Sequence, residues 1–143
     1  MTHGPASEAL KRTEDAIAAL RRMLQPVELS RLHERPSSGE WSPMENVRHL
    51  IFAEQHHCAP YLKGFRWSSV GVPAPSRVPG ETRLSPAGKG PNGTVDDVFD
   101  AWEKVHAVIR ARCMEAPDGL VRELEGDLRH LTVHTRAIER LLG

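Results

Sequence analysis

The chain has 143 residues, enough for one domain with a hydrophobic core, and we expect residues 1–143 to form that single domain. Nineteen Lys and Arg balance nineteen Asp and Glu, and a net charge of zero argues against a nucleic-acid partner. No apolar run is long enough to span a membrane and the start of the chain is charged throughout, so we expect a cytoplasmic protein.

The first predicted helix runs from about Ser7 to Gln25, and Pro26 ends it. Its buried stripe has the three- and four-residue spacing of a helix that packs on one face. The stripe consists of Leu10, Thr13, Ile17, Leu20 and Leu24. A short helical turn is expected at residues 28–34.

The second predicted helix has a clear start signal. Ser42 can cap it, Pro43 suits the first helical position, and Glu45 can complete a capping box with Ser42. The helix is expected to end or kink near Pro60. Apolar residues lie on two of its sides, with Arg48 predicted to be exposed between them, so we expect more than one neighbouring helix to contact it.

Residues 64–93 hold five of the eleven prolines and six of the eleven glycines, and no regular element is predicted there. A segment of this length and composition is typical either of a lid over a site or of a disordered crossover. Both interpretations remain open from the sequence.

The third predicted helix opens at Thr94, a favourable N-cap residue. Its apolar stripe is regularly spaced and consists of Val95, Val98, Phe99, Trp102, His106, Ile109 and Cys113. Cys58 lies on the stripe of the second helix in the same way, so both cysteines are expected to be reduced core residues.

A break is predicted at residues 117–119, followed by a short segment and, after Gly126, by a fourth helix from Asp127 to about Leu142. Its arginines, Arg129, Arg136 and Arg140, are expected on the solvent side. Four amphipathic helices without a strand signal predict an all-α fold of the four-helix-bundle class.

Eight histidines are many for a chain with three Phe and one Tyr, and metal binding is one reason for such a composition. His130 and His134 are four residues apart, so both imidazoles project from one face, and that face is the apolar one. His49 lies on an inward face of the second helix and could supply a third ligand. The competing interpretation is that all three are hydrogen-bonded core histidines.

The remaining histidines are assigned other roles. His106 is the alternative ligand if His49 faces away, although a core role or a supporting role beside the metal is favoured. His56 is expected at the surface or the helix end, with a place facing the site as the alternative. His3, His33 and His57 are expected to be exposed.

Two segments resemble the DinB/YfiT-like superfamily. Residues 39–50, GEWSPMENVRHL, are similar to the G-x-W-S-x-x-E-x-x-x-H-L segment that opens the second helix of that family. Residues 129–138, RHLTVHTRAI, are similar to its closing H-x-x-x-H-x-x-x-I helix. The sequence departs from the family at Ala137, where relatives often carry Gln. The order and separation of the two motifs also fit, so the resemblance extends over nearly the whole chain.

The resemblance implies a bundle of up-down-down-up connectivity, often dimeric, with a divalent metal on three histidines. By matching position these are His49, His130 and His134. Characterised relatives include S-transferases and isomerases that use mycothiol, bacillithiol or glutathione. We therefore expect a homodimeric enzyme that transfers such a thiol to or from a small electrophile. A metal-dependent hydrolase that uses metal-bound water and a non-catalytic metal-dependent binding or stress-response module are the alternatives.

A metal held by three imidazoles keeps a position for an exchangeable ligand, and it can bring the pKa of a bound water or thiol to near 7. Zinc or nickel is expected, with iron as a further candidate. Glu45 lies one turn before His49 and is a candidate general base, although closing the capping box explains it without chemistry. Trp41 is expected to pack under the capped turn.

Overall fold

The computed structural model describes residues 5–58, 94–113 and 118–143, and within these ranges all regular structure is helical. The helices are α1 (Pro5–Leu24), α2 (Leu29–His33), α3 (Pro43–Cys58), α4 (Val95–Cys113) and α5 (Asp118–Leu142). The prediction of an all-α fold is confirmed. The proposed lid or crossover at residues 64–93 lies outside the described residues.

Helices α1 and α2 match the prediction closely. In α1, Leu20 and Leu24 are fully buried and Thr13 donates its hydroxyl to the Ala9 carbonyl at 2.9 Å, while Ile17 is partly buried on the same stripe. Helix α2 is a single short turn whose Leu32 is completely buried. The apolar period of the sequence therefore identified the side of α1 that faces the core.

The capping box predicted for α3 is present. The Ser42 N–H donates to Glu45 Oε1 at 2.9 Å, and the Glu45 N–H donates to Ser42 Oγ at 3.1 Å. A reciprocal pair of the same kind begins α4, where Thr94 and Asp97 exchange hydrogen bonds of 3.0 and 3.1 Å. Each pair satisfies backbone N–H groups that have no partner within the helix, which fixes where the two helices start.

Helix α3 is more deeply buried than predicted, and the expectation that Arg48 is exposed was wrong. Arg48 retains only 5% of its exposure because α2, α4 and α5 all contact α3 and cover most of its circumference. The related expectation, that more than one neighbour contacts this helix, is confirmed.

Helix α5 corrects the predicted boundary of the last helix. It runs without interruption from Asp118 to Leu142, so the part of the expected break at residues 118–119 and the separate start at Asp127 were wrong, while residue 117 lies outside the described residues. A side chain built at Gly126 would meet only the Arg129 side chain, at 3.6 Å, and the backbone there is ordinary helix. Leu120, Leu124 and Leu131 are buried along one continuous face, and that packing outweighs the weak helix propensity of glycine.

The contacts between helices define their relative directions. Glu14 near the middle of α1 meets Arg110 near the end of α4, whereas Arg21 near the end of α1 meets Asp96 at the start of α4, so these helices run in opposite directions. Helices α3 and α5 are likewise antiparallel, because Asn46 pairs with His134 and His57 with Asp127. Arg12 and Glu125 place the start of α1 beside the early part of α5.

The core lies between these four long helices. Trp102 and Phe99 of α4 are its largest buried side chains, and Ile51 of α3 and Ile138 of α5 are fully buried as well. Cys58 and Cys113 are buried, unpaired core thiols, as predicted. Burial raises the pKa of both thiols, Cys58 the more strongly, so neither favours the reactive thiolate form.

Candidate metal centre

The pair of histidines on α5 points into the bundle. His130 and His134 are half-buried, and their ring centroids are 4.5 Å apart in an edge-to-face arrangement. One turn of helix separates them, so both rings project from the same side. The predicted orientation of this pair is present in the structure.

Helix α3 brings a third imidazole to the pair. The His49 ring centroid lies 5.1 Å from that of His130 and 4.9 Å from that of His134. One nitrogen from each of the three rings lies within 4.8 Å of the others. Nitrogens on one zinc ion are separated by at most roughly 4.2 Å, twice the usual bond length, so small side-chain movements suffice for common ligation. These three residues could therefore hold a metal ion.

All three imidazoles favour the neutral form, which is the form that binds metals. Burial lowers the pKa of His49 to about 4, with further lowering by the nearby His130 and His57. Burial, His130 and His49 lower the pKa of His134 to about 4 in the same way. The pKa of His130 is lowered by burial and by His57. At neutral pH no proton has to leave these rings before a cation binds.

Asn46 fixes the orientation of His134. Its Nδ2 donates to the Ser42 carbonyl at 2.9 Å, so its Oδ1 is the atom that faces His134 Nδ1, 2.7 Å away. The His134 Nδ1 must then carry the proton and donate it, which leaves the Nε2 lone pair for another partner. Metal-ligating histidines usually have such a partner on their second nitrogen.

Two other nitrogens of the cluster have no hydrogen-bond partner within the part of the chain that the structure describes. His49 Nδ1 and His130 Nδ1 are buried without a hydrogen bond to the described residues. A buried polar atom without a partner is costly, and a cation or a water can remove that cost. The donor set and these two nitrogens fit a divalent ion, and among the described residues neither nitrogen has the hydrogen bond that the alternative of three core histidines requires.

The other histidines lie elsewhere or differ from expectation. His106 is in the core, away from the cluster, where its Nδ1 lies 2.6 Å from Glu54 Oε1. His57 was expected to be exposed, but it is half-buried, with Nδ1 3.5 Å from Asp127 and its ring centroid 6.1 Å from that of His130. Its interaction with Asp127 raises the pKa of His57. His33 is exposed as expected, and the His3 residue and the His56 side chain lie outside what the structure describes.

Glu45 is occupied by structural partners. Besides closing the capping box, its two oxygens accept from Arg35 Nε at 2.7 Å and Arg35 Nη2 at 2.5 Å. Burial alone would raise the pKa of Glu45, but the hydrogen bonds from Arg35 and Ser42 outweigh it and lower that pKa. A carboxylate held this way is a weak proton acceptor.

A cleft opens beside the cluster, and Trp41 both lines the cleft and packs against His49 of the cluster. The indole centroid lies 4.8 Å from that of His49, which agrees with a packing role under the capped turn. The cleft has a volume of about 540 Å³. Its lining consists of Glu40, Trp41, Asn46, Val133, His134, Arg136, Ala137, Arg140 and Leu141.

Sequence reasoning missed several of these neighbours. It gave no role to Asn46, it used Asp127 only as the predicted start of the last helix, and it placed Arg136 and Arg140 on the solvent side without assigning them to a site. Asn46 lies four residues after Ser42 in the capped turn, and that local signal could have identified it as oriented toward the backbone. Asp127 and its contact with His57 could not be anticipated, because 70 positions separate them and only the packing of α3 on α5 brings them together.

The similarity of this chain to known proteins is at the level of a family. No helix of the described residues is long and apolar enough to cross a membrane. Searches of curated proteins and of solved structures each found no match. The family model of the DinB superfamily matches residues 12–137. Because that match covers most of the chain, including all three histidines of the cluster, the protein belongs to the DinB superfamily.

Proposed function

We propose that this protein is a metal-dependent enzyme that transfers a low-molecular-weight thiol to or from a small electrophile. The observation that carries the proposal is the meeting of His49, His130 and His134, with one nitrogen of each within 4.8 Å of the others. Three neutral ligands and an adjoining cleft match the arrangement of catalytic sites, in which a metal keeps a position open for a reactant.

A divalent ion held by His49, His130 and His134 would favour the deprotonated form of a thiol at neutral pH. The sulfur electron pair then forms the new S–C bond, the bond to the leaving group breaks, and the thiol proton ends on the leaving group. The reaction needs no oxidant or reductant.

The residues around the cluster support this chemistry by position. Asn46 holds His134 in the tautomer whose Nε2 is free for the ion. Trp41, which is 8% exposed, packs against His49 and shields it from solvent. Glu45 contributes by capping α3 and thereby placing His49 one turn later, and we assign it this positioning role rather than that of general base.

Metal content tests the site directly. Protein prepared without a histidine tag is loaded with zinc, passed through a desalting column and analysed for metal. We expect about one ion per chain in the wild type and in His33→Ala, whose imidazole is exposed on α2. His49→Ala, His130→Ala and His134→Ala are each expected to lose most of the metal. Equal metal retention by all five proteins would contradict the assignment.

The reaction class is tested on protein substituted with cobalt, whose absorption spectrum reports its ligands. Thiol transfer predicts that a small thiol alters the spectrum and competes with other ligands of the ion. Turnover of an activated ester without any spectral response to thiols would instead support hydrolysis. Retention of metal with neither response would favour a binding module without turnover.

A further inference from the structure

The cleft beside His134 has a cationic side that metal binding does not explain. Arg136 and Arg140, one turn apart on α5, both line it. Both side chains are exposed, and no carboxylate of the described residues forms an ion pair with either guanidinium. By contrast, Arg21 and Arg110 lie 2.6 and 2.8 Å from carboxylates. Two neighbouring unpaired guanidiniums form a site for an anion.

Apolar side chains share the lining of the cleft with His134 and the two arginines. Ala137 and Leu141 of α5 line it, and so does Trp41, which precedes α3. Glu40 is the one acidic residue among the described lining, and it pairs with neither arginine, so the lining carries a net positive charge. A ligand in this cleft can therefore contact both cationic and apolar side chains.

The helical rise gives the distance that such a ligand spans between His134 and the arginines. Arg140 follows His134 by six positions, which corresponds to about 9 Å along the helix axis. Arg136 is closer to His134, and both guanidiniums extend on flexible side chains that can meet one carboxylate from two sides. A molecule that reaches from His134 to the arginines thus has its anionic group separated from its reacting atom by several bonds.

We infer that the cleft binds a thiol carrying a carboxylate, with the carboxylate at Arg136 and Arg140 and the sulfur directed to the ion beside His134. The inference rests on the proposed function and narrows it, because it selects anionic over neutral thiols. Trp41 and Leu141 contact the body of the thiol and exclude water from it. The two arginines are binding residues in this arrangement and take no part in activating the sulfur.

Two thiols of equal length test the inference. 6-Mercaptohexanoate carries the carboxylate and 6-mercaptohexan-1-ol does not, and each is titrated into cobalt-substituted protein while the visible spectrum is recorded. Wild type is expected to bind the carboxylate thiol at least tenfold more tightly, since a hydrogen bond to a charged group contributes that much. Arg136→Gln/Arg140→Gln should remove this preference and leave binding of the alcohol unchanged.

A matched variant controls for loss of charge. Arg122→Gln/Arg129→Gln removes two arginines from exposed positions of the same helix that do not line the cleft. It should keep the preference for the carboxylate thiol. Metal analysis of each variant establishes that the cluster still holds its ion. Equal binding of both thiols by wild type, or an equal loss of both in the cleft variant, would overturn the inference.

If no thiol alters the cobalt spectrum, the proposed function fails. A second measurement then tests the anion site independently of the metal. Hexanoate and hexanol are titrated into metal-free protein, and the indole N–H resonance of Trp41 is followed after assignment with Trp41→Phe. A shift caused by hexanoate alone, and absent from Arg136→Gln/Arg140→Gln, would support the anion site. No shift with hexanoate would refute it.

Discussion

Replacing Asn46 with alanine tests how strongly the surroundings of the cluster control metal binding. Asn46 is 5% exposed, and its side chain bridges the Ser42 carbonyl and the His134 ring with hydrogen bonds of 2.9 and 2.7 Å. The Ser42 carbonyl keeps a partner after the change, because it also accepts from the Asn46 backbone N–H at 3.1 Å. The group that loses its only partner is therefore His134 Nδ1–H.

The size of the effect follows from that single loss. An unpaired buried donor costs about 1–3 kcal/mol, and His134 is only half-buried, so we expect the metal-free protein to lose roughly 1 kcal/mol of unfolding free energy. We expect the loss of metal-binding free energy to be larger, because without Asn46 the His134 ring can rotate or change tautomer. Removal of such a partner typically lowers metal affinity by about 10- to 100-fold.

Asn46→Asp is the matched variant. Its carboxylate keeps an oxygen toward His134 Nδ1, while its second oxygen replaces the donor and faces the Ser42 carbonyl, which lowers the stability of the metal-free protein. Because the carboxylate is the stronger acceptor for the His134 N–H, zinc affinity should equal or exceed that of the wild type. Affinity is measured by competition with a chromophoric chelator, and stability by urea unfolding of the metal-free proteins. Wild-type zinc affinity in a folded Asn46→Ala protein, or equal weakening in both variants, would refute the reasoning.

Three further predictions concern the fold. Ser42→Ala should lower the free energy of unfolding, measured in urea, by about 1 kcal/mol, because α3 loses its cap. Ser38→Ala removes only an exposed 3.4 Å contact and should lower it much less. Equal effects of the two substitutions would contradict the capping role of Ser42. Gly126→Ala should stabilise the protein by roughly 0.5–1 kcal/mol, and destabilisation would mean that the helix needs glycine there. For His106, burial lowers the pKa, but the hydrogen bond and the charge of Glu54 outweigh burial, so the folded pKa is raised. The stabilisation that protonated His106 provides is therefore complete below the unfolded pKa of about 6.5 and is lost as the pH rises through the folded pKa. The stability gap between wild type and His106→Gln should accordingly narrow as the pH rises above about 6.5, and a gap that widens would show the opposite shift.

The sequence predicted those parts of the fold that depend on residues within one helical turn. The capping box of Ser42 and Glu45 and the stripe of α4 both depend on such short separations. The misplaced start of α5 shows the limit of this reasoning. Pro117 and Gly126 are genuine local breakers of helices, but burial of Leu120 and Leu124 against the rest of the bundle determined that the helix begins at Asp118.

The exposure of charged and polar side chains was harder to predict. Arg48 was assigned to solvent from its place on the helical wheel, and three neighbouring helices bury it. His57 was assigned to solvent as well, and it lies half-buried beside Asp127. A helical wheel describes one helix, whereas exposure depends on how many others surround it.

The four-residue spacing of His130 and His134 places both on one face of a helix, because it matches the helical repeat. The sequence also made His49 a candidate through its place on α3. Only the antiparallel packing of α3 on α5 decided that His49 meets the pair and that Asn46 holds His134, a contact across 88 positions. Local periodicity fixes where a side chain points along its own helix, but contacts between distant segments form only when the apolar faces of both helices are buried together.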